Sequence, residues 1–355
     1  MGKDIFRQLQ EQLDKYSLGF PATDSGIEIK ILKNLFTRQH AEMFLNLTQR
    51  LETTEQIAAR VKMPAAEVAD KLSDMADRGL LFRLKKNNTV KYGAIPFVHG
   101  LFEFQVDRLD RHMAGLVRKY MEEGFENYLA DSAAGFFRTI PVQHSIDTQQ
   151  IIAPYEDAKE ILKKANKIVV AECICRKTSN LIEMGCDKPR EVCFMFGSMG
   201  QYYLDQKMGR EVDLDEALEI LKKAQEAGLV TNPASSQNPG GMCNCCGDCC
   251  GVLIALNKHP RPAEMVLSNY FAEIEKDSCS GCGICEEKCQ MGAITINEEN
   301  TASINLDRCI GCGLCVIACP VDAVRLKPKP AEKRLIPPAT TAEQMYEMVR
   351  KRGII

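Results

Sequence analysis

No stretch of this chain approaches 18 uninterrupted apolar residues, so no membrane-spanning helix is expected. The N-terminus, MGKDIFRQLQEQLDKY, is charged every few residues and lacks the apolar core of a signal peptide. Both absences point to a cytoplasmic protein without membrane insertion. Charge of one sign is missing too. Against 45 basic residues stand 48 acidic ones, a net charge of −3 that selects neither nucleic acid nor an acidic surface. There is no Walker loop, no Gly-x-Gly-x-x-Gly after a strand and no Gly-x-Ser-x-Gly elbow. Only five histidines are present, His40, His99, His112, His144 and His259, and they are scattered. Nothing in the sequence marks a substrate pocket.

What is abundant is cysteine. All 17 lie after Glu172, several of them adjacent or one residue apart. Disulfide frameworks are seldom spaced so tightly and a reducing compartment does not sustain them, so metal ligation is the better account. An odd total leaves one thiol over in any scheme of four ligands per cluster. The 355 residues suit two or three domains, each with its own core.

Residues 3–17 and 27–50 read as helices, the second with Ile27, Ile31, Leu35, Phe44 and Leu47 on a helical period. Then come a short helix over 54–60, a turn at Met63-Pro64, a helix over 65–78 closed by Gly79, and a hairpin over 82–92 around Lys85-Lys86-Asn87-Asn88. That order resembles a winged-helix domain. A long helix is expected from Phe102 to about Leu129, with Phe102, Leu109, Met113, Leu116, Tyr120 and Tyr128 on one stripe that packs internally or on a second copy. Residues 151–262 offer a helix over 155–165, an apolar strand over 168–171, cysteine-bearing loops and a helix over 214–227 between the capping pair Asp213 and Glu216 and the stop Gly228. Pro260 and Pro262 mark a boundary. Residues 327–338 read as a linker, and Thr340 with Glu343 opens a terminal helix.

The expected architecture is α+β and multidomain. It comprises N-terminal helices with a winged-helix-like domain (1–97), a long helix and connector (98–150), a mostly helical cysteine-rich domain (151–262), a ferredoxin-like domain (263–328), and a linker with a C-terminal helix (329–355).

Cys279, Cys282, Cys285 and Cys289 recur thirty residues later as Cys309, Cys312, Cys315 and Cys319. The flanks repeat as well: DSCSGCGICEEKCQMGAITI stands beside DRCIGCGLCVIACPVDAVRL. Thiolates two residues apart in a tight loop reach three corners of one cubane, and Gly281, Gly283, Gly311 and Gly313 let backbone N–H groups approach the sulfurs. Over about sixty residues the pattern resembles the bacterial two-cluster ferredoxins. The resemblance implies two [4Fe–4S] clusters with exchanged fourth ligands: Cys279, Cys282, Cys285 and Cys319 on one, Cys309, Cys312, Cys315 and Cys289 on the other. It departs at Gln290, which stands where the second repeat has Pro320. Residues 293–296 and 302–304 read as a hairpin turning at Glu298-Glu299-Asn300. Zinc sites pair two Cys-x-x-Cys units at a wider separation and fit less well.

Nine cysteines remain. Cys173, Cys175, Cys186 and Cys193 lie in AECICRKTSNLIEMGCDKPREVC, and Cys243, Cys245, Cys246, Cys249 and Cys250 in GGMCNCCGDCCG. With both flanking domains, this resembles a group of anaerobe proteins known mainly as 4Fe–4S binding proteins. Thiolates so dense repel one another unless a metal neutralises them. One or two further [4Fe–4S] clusters, a structural zinc, or a redox-active thiol set are the accounts open to them, and nine ligands suit two cubanes with one thiol spare or one cubane and a smaller site. A vicinal pair such as Cys245-Cys246 cannot easily serve one cubane face, so neighbours are expected to serve different sites. Cys245-Cys246-Gly247 is similar to the Cys-Cys-Gly motif of heterodisulfide-reductase-type subunits, but the long flanking intervals are missing and that activity is not carried over.

The second helix of the winged-helix-like unit offers Ala65, Ala66, Glu67, Asp70, Ser73 and Asp74, an acidic face where base readers carry Arg, Lys, Asn or Gln. Arg83, Lys85, Lys86 and Lys91 make the hairpin basic. A protein-docking or dimerising role is expected in place of specific DNA binding. The leading functional expectation is an iron–sulfur relay passing low-potential electrons between a partner oxidoreductase and a soluble carrier, without catalytic residues of its own. The alternatives are a redox-sensing winged-helix regulator, and a catalytic subunit with an unusual cluster in the central domain, where Arg176, Lys177 and Lys188 suit a small anion.

Overall fold

The computed structural model describes residues 4–126, 128, 137–142 and 153–354. His144 and the connector around it lie outside them. Among the described residues no helix is long and apolar enough to cross a membrane.

The first helix, Ile5–Asp14, buries Leu9 and Leu13 and is capped by Asp4. The single helix expected over 27–50 is instead two, Ile27–Leu35 and Arg38–Phe44. Phe36 is extended, and the Thr37 hydroxyl accepts the His40 N–H in a capping box. A hydroxyl that satisfies a free N–H restarts the chain where apolar spacing alone suggests continuity. Helices Thr54–Val61 and Ala65–Asp77 follow, then the strands Phe82–Lys86 and Thr89–Gly93. Asn87 and Asn88 both take left-handed φ, which suits a two-residue hairpin turn. Glu52–Thr53 completes a three-stranded sheet. Arg83, read as part of a basic tip, is buried and paired with Asp77 at 3.0 Å, so Lys85 and Lys86 are exposed there and Lys91 is half-buried.

The long helix expected from Phe102 is also interrupted. A single tight turn at Glu103–Gln105 comes first, and the regular helix is Arg111–Tyr120, started by the Asp110 carboxylate accepting the Met113 N–H at 2.7 Å. Its far end, at Leu129, lies outside the described residues. The stripe packs inward: Phe102, Leu109, Met113 and Tyr120 are buried, and the Tyr120 ring lies 4.7 Å from that of Phe20.

The central unit is built on a sheet and is not mostly helical. Strands Gly209–Glu211, Ile168–Glu172, Glu191–Phe196, Gly241–Cys245 and Val230–Pro233 pair antiparallel in that spatial order. The cysteines hid the strands, because Cys193, Cys243 and Cys245 occupy alternate positions where a small apolar residue packs as valine does. On one face Ile168, Val170, Phe194, Phe196 and Met242 meet helices Ala158–Lys164 and Leu214–Glu226. Val169, Ala171, Cys245, Leu253 and Leu256 belong to a core that runs continuously from Leu9 to Leu314, so the central unit shares its interior with its neighbours.

In the ferredoxin-like unit, Tyr270–Ile274 pairs with Val324–Pro328, and Ile294–Ile296 with Ala302–Ile304. Helices Ile284–Lys288 and Leu314–Ile317 stand against each other. The terminal helix, Thr341–Lys351, starts with the Thr340 and Glu343 capping box. It is fixed at both ends. Gln237 N–H donates to Pro338 O at 2.8 Å, and Arg352 donates to Asp14 O at 2.7 Å and Ser17 O at 3.0 Å.

Candidate metal centres

Two cysteine-bearing loops, each followed by one turn of helix, carry the ferredoxin thiols. Gly281 and Gly311 hold the tight bends at φ +68 and +65, and a Cβ there would fall 2.1 Å from Asn300 O and 2.3 Å from Tyr270 O. Four of the sulfurs accept backbone N–H groups in two matching pairs: Cys309 from Ala272 and Cys279 from Ala302 at 3.4 Å, Cys289 from Ala293 and Cys319 from Ala323 at 3.2 Å. Such donors favour thiolate sulfur, which suits ligands of a cluster. Cys289, Cys309, Cys312 and Cys315 line one cavity. Burial pushes the Cys312 thiol up to about 12 and raises Cys315 well above its usual range. Cys279, Cys282 and Cys285 form the other group, with Cys282 exposed, Cys279 half-buried and Cys285 buried.

The nine central thiols fall into two groups. Cys173, Cys175, Cys250, Cys245, Cys243 and Cys193 close into a ring in which each meets the next, Cys193 returning to Cys173. Hydrogen bonds from both neighbours pull Cys173, Cys250 and Cys243 down, while the same contacts push Cys175, Cys245 and Cys193 up. Neighbouring thiols thus oppose one another's ionisation, because adjacent negative charges in a buried ring are costly. Six thiols exceed the four that one cubane uses.

Cys186, Cys246 and Cys249 form the second group, with Cys246 3.8 Å and Cys249 3.7 Å from Cys186. Both vicinal pairs are divided between the groups, Cys245 from Cys246 and Cys250 from Cys249. Contact with Cys249 and the Arg176 guanidinium holds Cys246 down to about 6 against the effect of burial. Arg176 is the partition between the groups. It is fully buried, with Nη1 3.6 Å from Cys246 Sγ and Nη2 donating to Asn244 O at 3.0 Å, and Cys173 and Cys193 also act on its charge. Lys188 pairs with Asp248 at 2.5 Å, and Lys177 pairs with Glu172 at 2.9 Å. Of the three basic residues singled out from the sequence, only Arg176 touches a thiol.

The ring has further neighbours that its own motif does not announce. His99, which opens onto the adjoining cavity, contacts Cys243; Cys243 and Glu103 raise it to about 9 against the cost of desolvation. Glu103 is half-buried, raised by desolvation, and accepts the Gly100 N–H at 2.9 Å. A cavity of ≈ 120 Å³ adjoins them, walled by Met195, Met199, Met242, Met345 and Met348 and including Cys243. No sequence signal pointed to His99 or Glu103, which belong to the cysteine-free half.

The ferredoxin-like and central units meet through Gln290, the residue that departs from the ferredoxin pattern. Its Oε1 accepts the Gly247 N–H at 2.7 Å and its backbone oxygen accepts from Asn257 Nδ2 at 2.9 Å. A proline there has no side-chain acceptor. Arg308 adds bonds to Met291 O at 2.8 Å and Asn257 O at 3.2 Å.

Residues 278–333 match the family model of the 4Fe–4S dicluster domain. This C-terminal domain binds 4Fe–4S clusters and supports an iron–sulfur electron-transfer role. No curated protein and no solved structure matches the chain.

Proposed function

We propose that the protein is an electron relay, in which the ferredoxin-like domain exchanges low-potential electrons with a partner oxidoreductase or soluble carrier of an anaerobe and passes them to the central thiol-held centre. The supporting observation is a gradient of burial. Cys282 is exposed, Cys289 and Cys312 pack against the core that also contains Cys245 and Cys250, and Gln290 bonds directly to the loop carrying Cys246. By resemblance, Cys279, Cys282, Cys285 and Cys319 would hold the outer cubane and Cys309, Cys312, Cys315 and Cys289 the inner one, with the six-thiol ring holding iron beyond them. The chain's own part is to fix their order and exclude water between them.

Under this reading the N-terminal helix, turn, helix and hairpin form a winged-helix-like docking element. The basic side chains beside its second helix are held by that helix's own carboxylates: Lys71 by Glu67, and Arg78 and His40 by Asp74. That arrangement favours protein docking over the regulator alternative.

Anaerobic stopped-flow mixing with a reduced bacterial ferredoxin, a donor too large to reach the buried ring, tests the relay. The central centre should be reduced through the outer cluster, and Cys282→Ser should slow its reduction at least tenfold without lowering the iron held by the nine central cysteines. Equal rates in both proteins would refute the ordered path.

A second reading, catalysis at the central centre, is favoured by the methionine-walled cavity beside Cys243, His99 and Glu103. A concave, mostly apolar site with a few convergent ionisable groups is the usual form of a small-molecule pocket.

A further inference from the structure

We infer that Cys186, Cys246 and Cys249 form a metal site separate from the clusters, holding one tetrahedral thiophilic divalent ion, zinc or ferrous, with its fourth position open. The inference deepens the reading of the central cysteines as metal ligands by dividing them between two kinds of site.

Spacing carries it. A tetrahedral ion with Zn–S bonds of about 2.3 Å sets its thiolates about 3.8 Å apart. The sulfurs of Cys186 and Cys246 are 3.8 Å apart, those of Cys186 and Cys249 are 3.7 Å apart, and all three lie within 4.8 Å of one another. A cubane binds each thiolate through a different iron, so its ligands stand apart by an iron–iron edge and two outward bonds. Among the described residues, no three of the ferredoxin thiols come within 4.8 Å of one another, as these three do.

The local chain agrees. Cys246-Gly247-Asp248-Cys249 is a Cys-x-x-Cys turn between the strand Gly241–Cys245 and the helix Gly251–Lys258, the spacing by which one loop gives two ligands to a single ion. Cys186 arrives from the loop after the helix Ile174–Leu181. Charge closes as well. Three thiolates, a divalent ion and the Arg176 guanidinium sum to zero, and Lys188 and Asp248 neutralise each other at the rim. No fourth Cys, His, Asp or Glu joins the group among the described residues, which leaves one coordination position for water or an exogenous ligand.

The test uses the full chain, purified anaerobically. Metal analysis should find one zinc, or one iron outside the clusters, per chain. For zinc, X-ray absorption should give three sulfurs at about 2.3 Å and one lighter ligand; for iron, Mössbauer spectroscopy should give a high-spin ferrous doublet distinct from cluster iron. Cys186→Ser should remove that ion and leave the remaining iron and acid-labile sulfide unchanged. Loss of three or four irons with sulfide from Cys186→Ser would show a cubane ligand and overturn the inference. So would a wild-type protein whose Cys186, Cys246 and Cys249 are all alkylated in the native state, a result that needs no variant to fold. Absence of cluster iron from the nine central cysteines, with the single ion still present, would instead count against the relay reading alone.

Discussion

Replacing Arg176 by methionine asks how much of the central unit rests on one buried cation. The guanidinium is 1% exposed and 3.6 Å from Cys246 Sγ. At an effective dielectric constant of about 20, a full thiolate charge at that range is attracted by about 5 kcal/mol. Removing one partner of a buried charged pair costs about 3–5 kcal/mol. A bound ion shares the thiolate charge, which places the expected loss near the lower end, about 3 kcal/mol. That is a large part of the roughly 5–15 kcal/mol that holds a domain folded, yet leaves a protein that can be purified. Arg176→Lys keeps the charge but loses the fork that reaches Asn244 O and Cys246 together, so it should cost about 1–2 kcal/mol. The assay is anaerobic denaturant unfolding of the metal-loaded proteins followed by circular dichroism, with metal counts on each. The reasoning fails if methionine costs under about 1 kcal/mol, or if lysine costs as much as methionine, since shape and not charge would then be what matters.

Two further outcomes follow from geometry and burial. The ≈ 120 Å³ cavity is close in size to an apolar cavity of about 150 Å³ that admits benzene; benzene should therefore raise the melting temperature of the wild type, and Met348→Trp, which fills the wall, should abolish the rise, whereas an equal rise in both proteins would place binding elsewhere. Since burial holds Cys312 up to about 12 and raises Cys315, protons compete with iron at the inner ferredoxin loop, and iron loss to a chelator should quicken as pH falls from 8 towards 6; the opposite slope would refute the argument.

The parts of the molecule legible in the sequence were those whose signal is local. The capping box at Thr340, the Asp213 cap and the Asn87-Asn88 turn mark boundaries by short-range chemistry, and the structure has elements there. Tertiary information was not legible. Cysteines read as loop residues sit in strands Glu191–Phe196 and Gly241–Cys245, because whether a thiol faces a metal or a neighbouring side chain is decided by what lies across the sheet. The division of the nine central thiols was visible only as the expectation that vicinal neighbours separate. Which thiols join depends on loops brought together from fifty to seventy residues away, such as Cys186 to Cys246 and Arg176 to Cys246. Gln290 could be seen as a departure, but its partner Gly247 lies 43 positions earlier and carries no side chain to suggest the contact.

The strap formed by residues 338–352 bears on maturation. It follows both cysteine-bearing units in the chain, closes one wall of the cavity beside Cys243 through Met345 and Met348, and is tied back to Asp14 and Ser17 near the N-terminus. During synthesis every thiol is therefore exported from the ribosome before this wall exists. Anything that reaches the cavity side of the ring therefore meets a wider approach while the strap is undocked than after it has docked.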